Sequence, residues 1–458
     1  MTRKTEFSFP QQLQGHDGAG TSLQSEAAIL WVENFVRDVD ARPRYAPASF
    51  HPTVFKFKEL VESRLELRMW ASAMFEEVPN KIPYNRRRPG QPAPRSPVRG
   101  YEHLLDLLNV VVPEVAPTWT LASAGVGLMG LPFQALLDWP MGTPSGHAFF
   151  LDADVNASFR EMLQAWHDDL LTTERSKSVI TTRPGGWLSR DVIAVFERDT
   201  NLDPRRWSRF DQIYHCDPHG DPEHWGFRSW DEFFTRRFRD MDRIRPIAFE
   251  DSPEWVVVPC EAKAAVIRTN VQAIDQFWVK NARYSVYEML NHHELTENFI
   301  GGTIYQSVLL PTAYHRWASP VSGKVISTTI LAGAYFSERS TNGLGDEPVT
   351  PPLYNLVFLS HVATRALVFI QADDPIGIVC FMAIGIADVS SCEINPKFTT
   401  GKPEQVRKGE ELGMFRHGGS SQCLLFRKGL RLSFAEGAAP GDQQQNVAIR
   451  SALAVAHA

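Results

Sequence analysis

The hydrophobic residues of this chain change their period near Pro246, and that change constrains the fold more than any other feature of the sequence. Before it, apolar residues recur at helical spacing. Ile29, Val32, Phe35, Val36 and Val39 share one face of a segment starting at Ser25, and Phe159, Met162, Leu163, Trp166 and Leu170 do so after Asn156, a good N-cap. Between them, Phe55 to Val78 is rich in Leu, Glu, Arg and Met and also favours helix. After Pro246 come short β-type runs punctuated by Gly and Pro: Trp255–Val258, Ala264–Thr269, Tyr305–Leu310, Val325–Leu331, Tyr354–Ser360, Arg365–Ala372, Ile376–Ile384 and Gln422–Phe426. A helix-period pattern does not settle as a strand, nor the reverse, so the chain is predicted to be α+β, a helical N-terminal region packed on a β-rich C-terminal one. The predicted divisions are a disordered N-terminus over 1–24, a mostly helical domain over 25–240, a β-rich domain over 241–435 and a flexible tail over 436–458.

At 458 residues the chain is long enough for two or three domains with substantial cores. Its 47 basic and 53 acidic residues give a net charge of −6, which provides no footprint for a nucleic-acid backbone. The cysteines (Cys216, Cys260, Cys380, Cys392 and Cys423) are scattered and form no Cys-x-x-Cys pair, as in reduced proteins of the cytoplasm. Met1 to Thr21 lacks the apolar core of a secretory signal. The longest uncharged stretch, Trp119 to Leu137, holds four Gly or Pro residues and reads as a buried hairpin or interfacial element rather than a membrane span. Pro83 to Arg99, with five prolines and five arginines, reads as an exposed loop, and its Arg86-Arg87-Arg88 run as a solvated linker sooner than an anion patch.

The densest set of ligand-type side chains is His215, Cys216, Asp217, His219, Asp221 and His224. Its spacing matches no common zinc pattern, and Pro218, Gly220 and Pro222 make it a polar surface turn, so no metal is expected there. Gly418-Gly419-Ser420-Ser421, followed by the apolar Leu424-Leu425-Phe426, carries two readings. One is a tight turn between strands. The other is chemical: in a strained backbone that glycine permits, a serine hydroxyl can attack the preceding carbonyl, which has no side chain to shield it. His315 is likewise either a bonded strand-end imidazole or a proton-transfer group.

Three motifs in a fixed order decide between these readings. They are Trp230 to Phe238 (Trp-Asp-Glu-Phe-Phe-Thr-Arg-Arg-Phe) followed by Arg245-Pro246-Ile247, then Leu310 to Gly323 with His315 inside it, then Lys408 to Phe426. In this order they resemble the phosphatidylserine decarboxylases, and in particular their fungal tryptophan-decarboxylase-like branch, whose N-terminal extension Pro140 to Phe150 and the helix after Asn156 also resemble. The resemblance implies a phosphatidylserine-decarboxylase-like catalytic domain and a pyruvoyl enzyme made by self-cleavage between Gly419 and Ser420. Ser420 would attack the Gly419 carbonyl, the resulting ester would eliminate, and position 420 would hydrolyse to a covalent pyruvoyl group, the electron sink that pyridoxal phosphate provides elsewhere. It further implies that His315 transfers a proton during decarboxylation, and that Glu261 stands where the family has the aspartate of its cleavage triad.

One departure bears on maturation: the triad histidine of the family is Ala318 here, and alanine cannot accept the serine proton. His361 and His417 are the candidate replacements, and His417 lies three residues before the nucleophile. The substrate expected from the resemblance is a soluble L-amino acid, an aromatic one such as tryptophan first, turned over in the cytoplasm to its amine and CO2 by a protein that self-associates. Two other readings are an unprocessed relative that serves as a binding protein, and a membrane-associated enzyme acting on phosphatidylserine.

Overall fold

The structure, a computed structural model, describes residues 17–42, 49–81, 84, 94–119, 131–200, 209–275, 284–310, 312–339, 352–389, 391–441 and 445–457. The first half is helical: α1 (Asp17–Asp40), α2 (Pro52–Ser63), α3 (Leu65–Glu76), α4 (Tyr101–Glu114), α5 (Pro132–Met141), α6 (Pro144–Leu151), α7 (Ala153–Trp166) and α8 (Arg190–Thr200). Their apolar faces meet in one core that includes Phe57, Leu107, Phe149, Phe159 and Trp166 and extends to Phe234, Tyr314 and Ala318.

Several boundaries differ from those read in the sequence. Helix α1 begins at Asp17, inside the span 1–24 expected to be disordered, since extending a formed helix costs little and an acidic residue suits its N-terminus; residues 1–16 lie outside the described residues. The single helical stretch expected over 55–78 is two helices broken at Arg64, whose backbone is extended and whose guanidinium binds Asp152 and Asp154 at the start of α7. Helix α7 is capped by Asp152, which accepts from the amides of Asp154 and Val155, and not by Asn156. Asn156 is buried one turn on, donating to the carbonyls of Phe150 and Asp152 and accepting from Tyr335 N. In Trp119 to Leu137, residues 120–130 lie outside the described residues, and Pro132 to Leu137 are helix rather than hairpin, because Pro132 sits at the first helical position, where its fixed φ suits it. Of the Pro83 to Arg99 segment, residues 83 and 85–93, including the arginine run, lie outside the described residues.

The second half is built of antiparallel strands: β1 (Trp255–Val257), β2 (Lys263–Thr269), β3 (Thr303–Leu309), β4 (Arg316–Ala318), β5 (Gly323–Leu331), β6 (Arg365–Ala372), β7 (Ile378–Gly385), β8 (Ser391–Ile394), β9 (Glu404–Val406), β10 (Glu411–Arg416), β11 (Ser420–Phe426), β12 (Arg431–Phe434) and β13 (Ala452–His457). They form a seven-stranded sheet, β2-β3-β11-β7-β6-β5-β9, and two three-stranded sheets, β4-β10-β8 and β1-β13-β12. The fold is α+β. Tyr354–Ser360, expected as a strand, lies in the helix Pro352–Val362, because a short apolar run does not by itself distinguish the two. The tail expected to be flexible ends in β13, which sits between β1 and β12 with Leu453 and Ala454 fully buried.

Strand β11 lies at the centre. Leu424 and Phe426 enter the core shared with the two small sheets, whereas Cys423 and Leu425 face the opposite core, which Leu356, Val357 and Leu359 of the helix Pro352–Val362 help to fill. Its neighbours make the site. Adjacent strands β3, β11 and β7 connect directly to β4, β10 and β8, which are adjacent in the second sheet, so three chain crossings lie side by side along one seam. Their described residues are 310, 312–315, 386–389 and 417–419.

Candidate active site

Ser420 is the first residue of β11, in register with Leu309 on β3 and Gly385 on β7. Its hydroxyl is buried and has no hydrogen-bond partner. The next side chain points to the other face and is fully engaged: Ser421 Oγ donates to the Ser307 carbonyl at 2.8 Å and accepts from Gln306 Nε2 at 3.1 Å. Of the two serines, only Ser420 has a hydroxyl free to react. The carbonyl before it is held from the neighbouring crossing, where Ile386 N donates to Gly419 O at 3.0 Å. Gly418 has φ +122°, and a Cβ there would lie 2.0 Å from the Ala387 carbonyl oxygen, so this turn requires glycine.

His315 sits at the end of the first crossing. Its carbonyl accepts from Phe415 N at 2.9 Å, its ring stacks on Phe234 with centroids 4.1 Å apart, and neither ring nitrogen has a partner. Arg236 fixes the approach to it: the buried guanidinium donates to the carbonyls of Thr312 at 2.6 Å and Ala313 at 3.1 Å while stacking on Tyr214 and Phe196. Burial, reinforced by the Arg236 charge, pushes the His315 imidazole down to about 3, so the ring is neutral at physiological pH.

His417 follows β10 in a left-handed conformation, φ 57°, and is completely buried. Its Nε2 lies 2.8 Å from His167 Nδ1 and 3.4 Å from Asp231 Oδ1, and its Nδ1 has no partner. His167 opens a π-helical turn (His167–Leu171) that continues α7, and Asp231 lies in the short helix Trp230–Phe234. Burial lowers the pKa of both imidazoles, and the Arg416 charge and coupling to the neighbouring His167 and His315 rings lower that of His417 further. The donor atoms of His167, Asp231 and His417 lie within 4.8 Å of one another. Arg416 Nη1, however, is 2.5 Å from the same Asp231 oxygen, so a cation already serves that carboxylate and the cluster is a hydrogen-bonded one. His361, the other candidate replacement for the missing histidine, is fully used: Nδ1 bonds the Val357 carbonyl and Nε2 accepts from Ser285 N.

Glu261 is completely buried, and Lys263, Val308 and Ser421 in register across β2, β3 and β11 put it at the same sheet end as Ser420. The structure does not bring it to a histidine. Its Oε1 pairs with Arg245, its Oε2 has no partner, and Ala318 nearby lines an open cavity of about 290 Å³ with Tyr314, Arg316 and Glu411. The His215–His224 segment is a turn whose carboxylates bond its own amides, Asp217 to Gly220 N and Asp221 to His224 N. Sequence reasoning missed His167 and Asp231. The first gave no signal beyond a histidine ending an amphipathic helix. The second lay within a recognised motif but without a role.

Comparison with known proteins places the chain in context. Residues 51–195 and 230–450 match two sequence models, both described as phosphatidylserine decarboxylase. The chain is 37% identical over 338 residues to the decarboxylase iboD of Amanita muscaria, an alignment covering 72% of this chain and 92% of that protein. It is 31% identical to the L-tryptophan decarboxylase of Psilocybe cubensis, covering 74% and 75%, and 33% identical to that of Psilocybe cyanescens, covering 68% and 71%.

Proposed function

The chain belongs to the phosphatidylserine decarboxylase family and is a carboxy-lyase, and from that premise we propose that it matures by cleaving itself between Gly419 and Ser420 and then decarboxylates an L-amino acid with a pyruvoyl group formed from Ser420. The observation that carries the reading is a buried, unpartnered Ser420 hydroxyl beside a Gly419 carbonyl already hydrogen-bonded to Ile386 N. In maturation the Oγ–H proton leaves as Oγ bonds to the Gly419 carbon. The C–N bond then breaks with proton return to nitrogen, giving an ester. Loss of the Cα proton and of the Gly419 carboxylate leaves dehydroalanine, which hydrolyses to the ketone with release of ammonia. The Ile386 amide stabilises the charge that builds on the Gly419 oxygen during the attack.

The residues present fit the group, since position 420 is buried with an unpartnered hydroxyl, and the unpartnered ring nitrogens of His315 belong to the adjacent crossing. When formed, the pyruvoyl ketone supplies the electron sink for loss of CO2. His315 moves the proton. Its neutral ring gains basicity when a substrate carboxylate enters beside it, because a nearby negative charge favours the imidazolium. Arg236 keeps that ring in place, and Phe234 covers one of its faces. Glu261 acts in this reading as the counter-ion of Arg245. An aromatic amino acid is the first substrate class, supported by the tryptophan decarboxylases among the relatives. Among the described residues no helix is long and apolar enough to cross a membrane.

Intact mass before and after borohydride tests the proposal. Two chains, 1–419 and 420–458, with the smaller gaining the mass of a reduced ketone, are expected. A single borohydride-inert chain of 51.6 kDa in material that releases CO2 from amino acids overturns it.

A further inference from the structure

Ala318 leaves the cleavage reaction without the base the family uses, and one cluster at the seam has the parts of another. His417 lies three residues before Ser420, is completely buried, and holds an unpartnered Nδ1. On the other side of the ring, Nε2 faces His167 Nδ1 at 2.8 Å and Asp231 Oδ1 at 3.4 Å. A carboxylate and an accepting imidazole nitrogen on that side hold the proton on Nε2, which leaves Nδ1 as a lone pair. This is the arrangement a general base needs: one nitrogen bare, the other oriented by an acid.

We propose that Asp231, His167 and His417 form a second triad-like relay in which His417 Nδ1 accepts the Ser420 proton, so that the N-terminal helical region supplies the groups that orient the maturation base. The inference rests on the self-cleavage reading above. The proton balance is closed within the cluster. His417 takes the proton from Oγ as the Oγ–C bond forms, its imidazolium is stabilised by Asp231, and the same proton goes to the nitrogen of Ser420 as the C–N bond breaks. The charged and titratable groups around the ring are His167 from the turn after α7, Asp231 from Trp230–Phe234, Arg416 on β10 and His315 beyond Phe234. Arg416, bound to both Asp231 and Glu393, fixes the carboxylate and stands where a metal ion would have to displace it. His167 and Asp231 are positioning residues; Ser420 Oγ and His417 Nδ1 are both buried and unpartnered, so the relay requires the hydroxyl to turn to the ring as the attack begins.

The left-handed backbone at position 417 suits glycine, so His417→Gly removes the ring without strain and leaves a space the size of imidazole. The experiment follows cleavage of freshly made protein by intact mass, for wild type, His417→Gly, Asp231→Asn, His167→Gln and the non-cleaving control Ser420→Ala. The expected result is cleavage slowed by about a hundredfold or more in His417→Gly and restored by added imidazole, and slowed about tenfold or more in the other two. It should also slow as pH falls, since a protonated His417 cannot accept. Thermal melts matching Ser420→Ala certify folding. Wild-type protein that never cleaves sinks the underlying reading. If instead wild type cleaves and His417→Gly cleaves at the same rate, or if chelators stop cleavage in wild type, the relay alone is overturned.

Discussion

The amide of Ile386 donates to the carbonyl oxygen of Gly419 at 3.0 Å, across two of the three crossings at the seam, so the peptide bond proposed to break is polarised by a neighbouring strand end before anything attacks it. Removing that donor should slow cleavage while leaving the nucleophile in place. Ile386→Pro is expected to lower the maturation rate by roughly 10²–10³, the usual loss for one oxyanion donor. The measurement is the fraction of full-length chain over time, with unchanged circular dichroism as the folding control. Cleavage at the wild-type rate would remove Ile386 from the reaction.

The two glycines of the turn should not be equivalent. At Gly418 a Cβ would sit 2.0 Å from Ala387 O and φ is +122°, whereas at Gly419 the nearest atom would be 3.7 Å away. Gly418→Ala is therefore expected to destabilise by about 1–3 kcal/mol and to impede cleavage by shifting the turn. Gly419→Ala should keep both its melting temperature and its capacity to cleave. Equal effects at the two positions, by melting temperature and intact mass, would contradict the geometry.

Adjacent serines give a sharper contrast. Ser420→Ala should abolish cleavage with little change in stability, because its hydroxyl bonds nothing. Ser421→Ala should still cleave but lose about 1–3 kcal/mol, since the Ser307 carbonyl and Gln306 amide are left buried without a partner. Chemical denaturation of the two variants reads the second effect and intact mass the first. Cleavage in Ser420→Ala would move the nucleophile elsewhere.

What the sequence made legible was set by how local the determining physics is. β11 could be placed because its apolar run follows glycines that mark a turn, and Ser420 and His315 because they sit in ordered motifs. The helix Pro352–Val362 was misread as a strand because its residues are apolar on most sides, and β13 was missed because alternating alanines give little contrast between faces. His167 was invisible for a different reason: its partner is 250 residues away, and no local pattern encodes a contact that exists only once the helical region packs on the sheets. Glu261 and Arg245 were both noticed, but that one neutralises the other is a fact of packing.

His315 should separate maturation from turnover. Its nitrogens bond nothing and His417 offers another base three residues before Ser420, so His315→Asn is expected to leave chain cleavage within a few-fold of wild type. Decarboxylation by the cleaved protein should fall by roughly 10²–10⁴, the range for losing a proton-transfer group. CO2 release per ketone-bearing chain is the readout. Wild-type turnover in that variant would assign the proton to another residue.

Stability should depend on pH with a sign set by four buried groups. His315 is pushed down to about 3, His361 to about 4, and His417 well below its ordinary value, each chiefly by burial. Unfolded, these rings bind protons near pH 6.5, so stability is lost as pH falls from there. Asp388 acts oppositely. Burial raises its carboxyl to about 8 although the amides of Phe133 and Gln134 bond it, so the native protein holds a proton that the unfolded chain releases above about pH 4, and stability falls as pH rises towards 8. Between about pH 4 and 6 these three histidines, with the half-buried His167 acting in the same sense, outweigh the one aspartate, and the net slope is upward by about 1.4 kcal/mol per pH unit for each surplus proton. Above that only Asp388 counts, so the melting temperature of uncleaved Ser420→Ala protein is expected to peak near pH 6.5. In the double variant with Asp388→Asn, whose single amide oxygen can keep the shorter bond from Gln134 N but not the one from Phe133 N, the melting temperature should be lower throughout, and the decline on the alkaline side should vanish while the acid side stays. A melting temperature that is flat from pH 5 to 6.5 would mean that the buried imidazoles take up protons in the folded protein and that the seam is wetter than its packing implies.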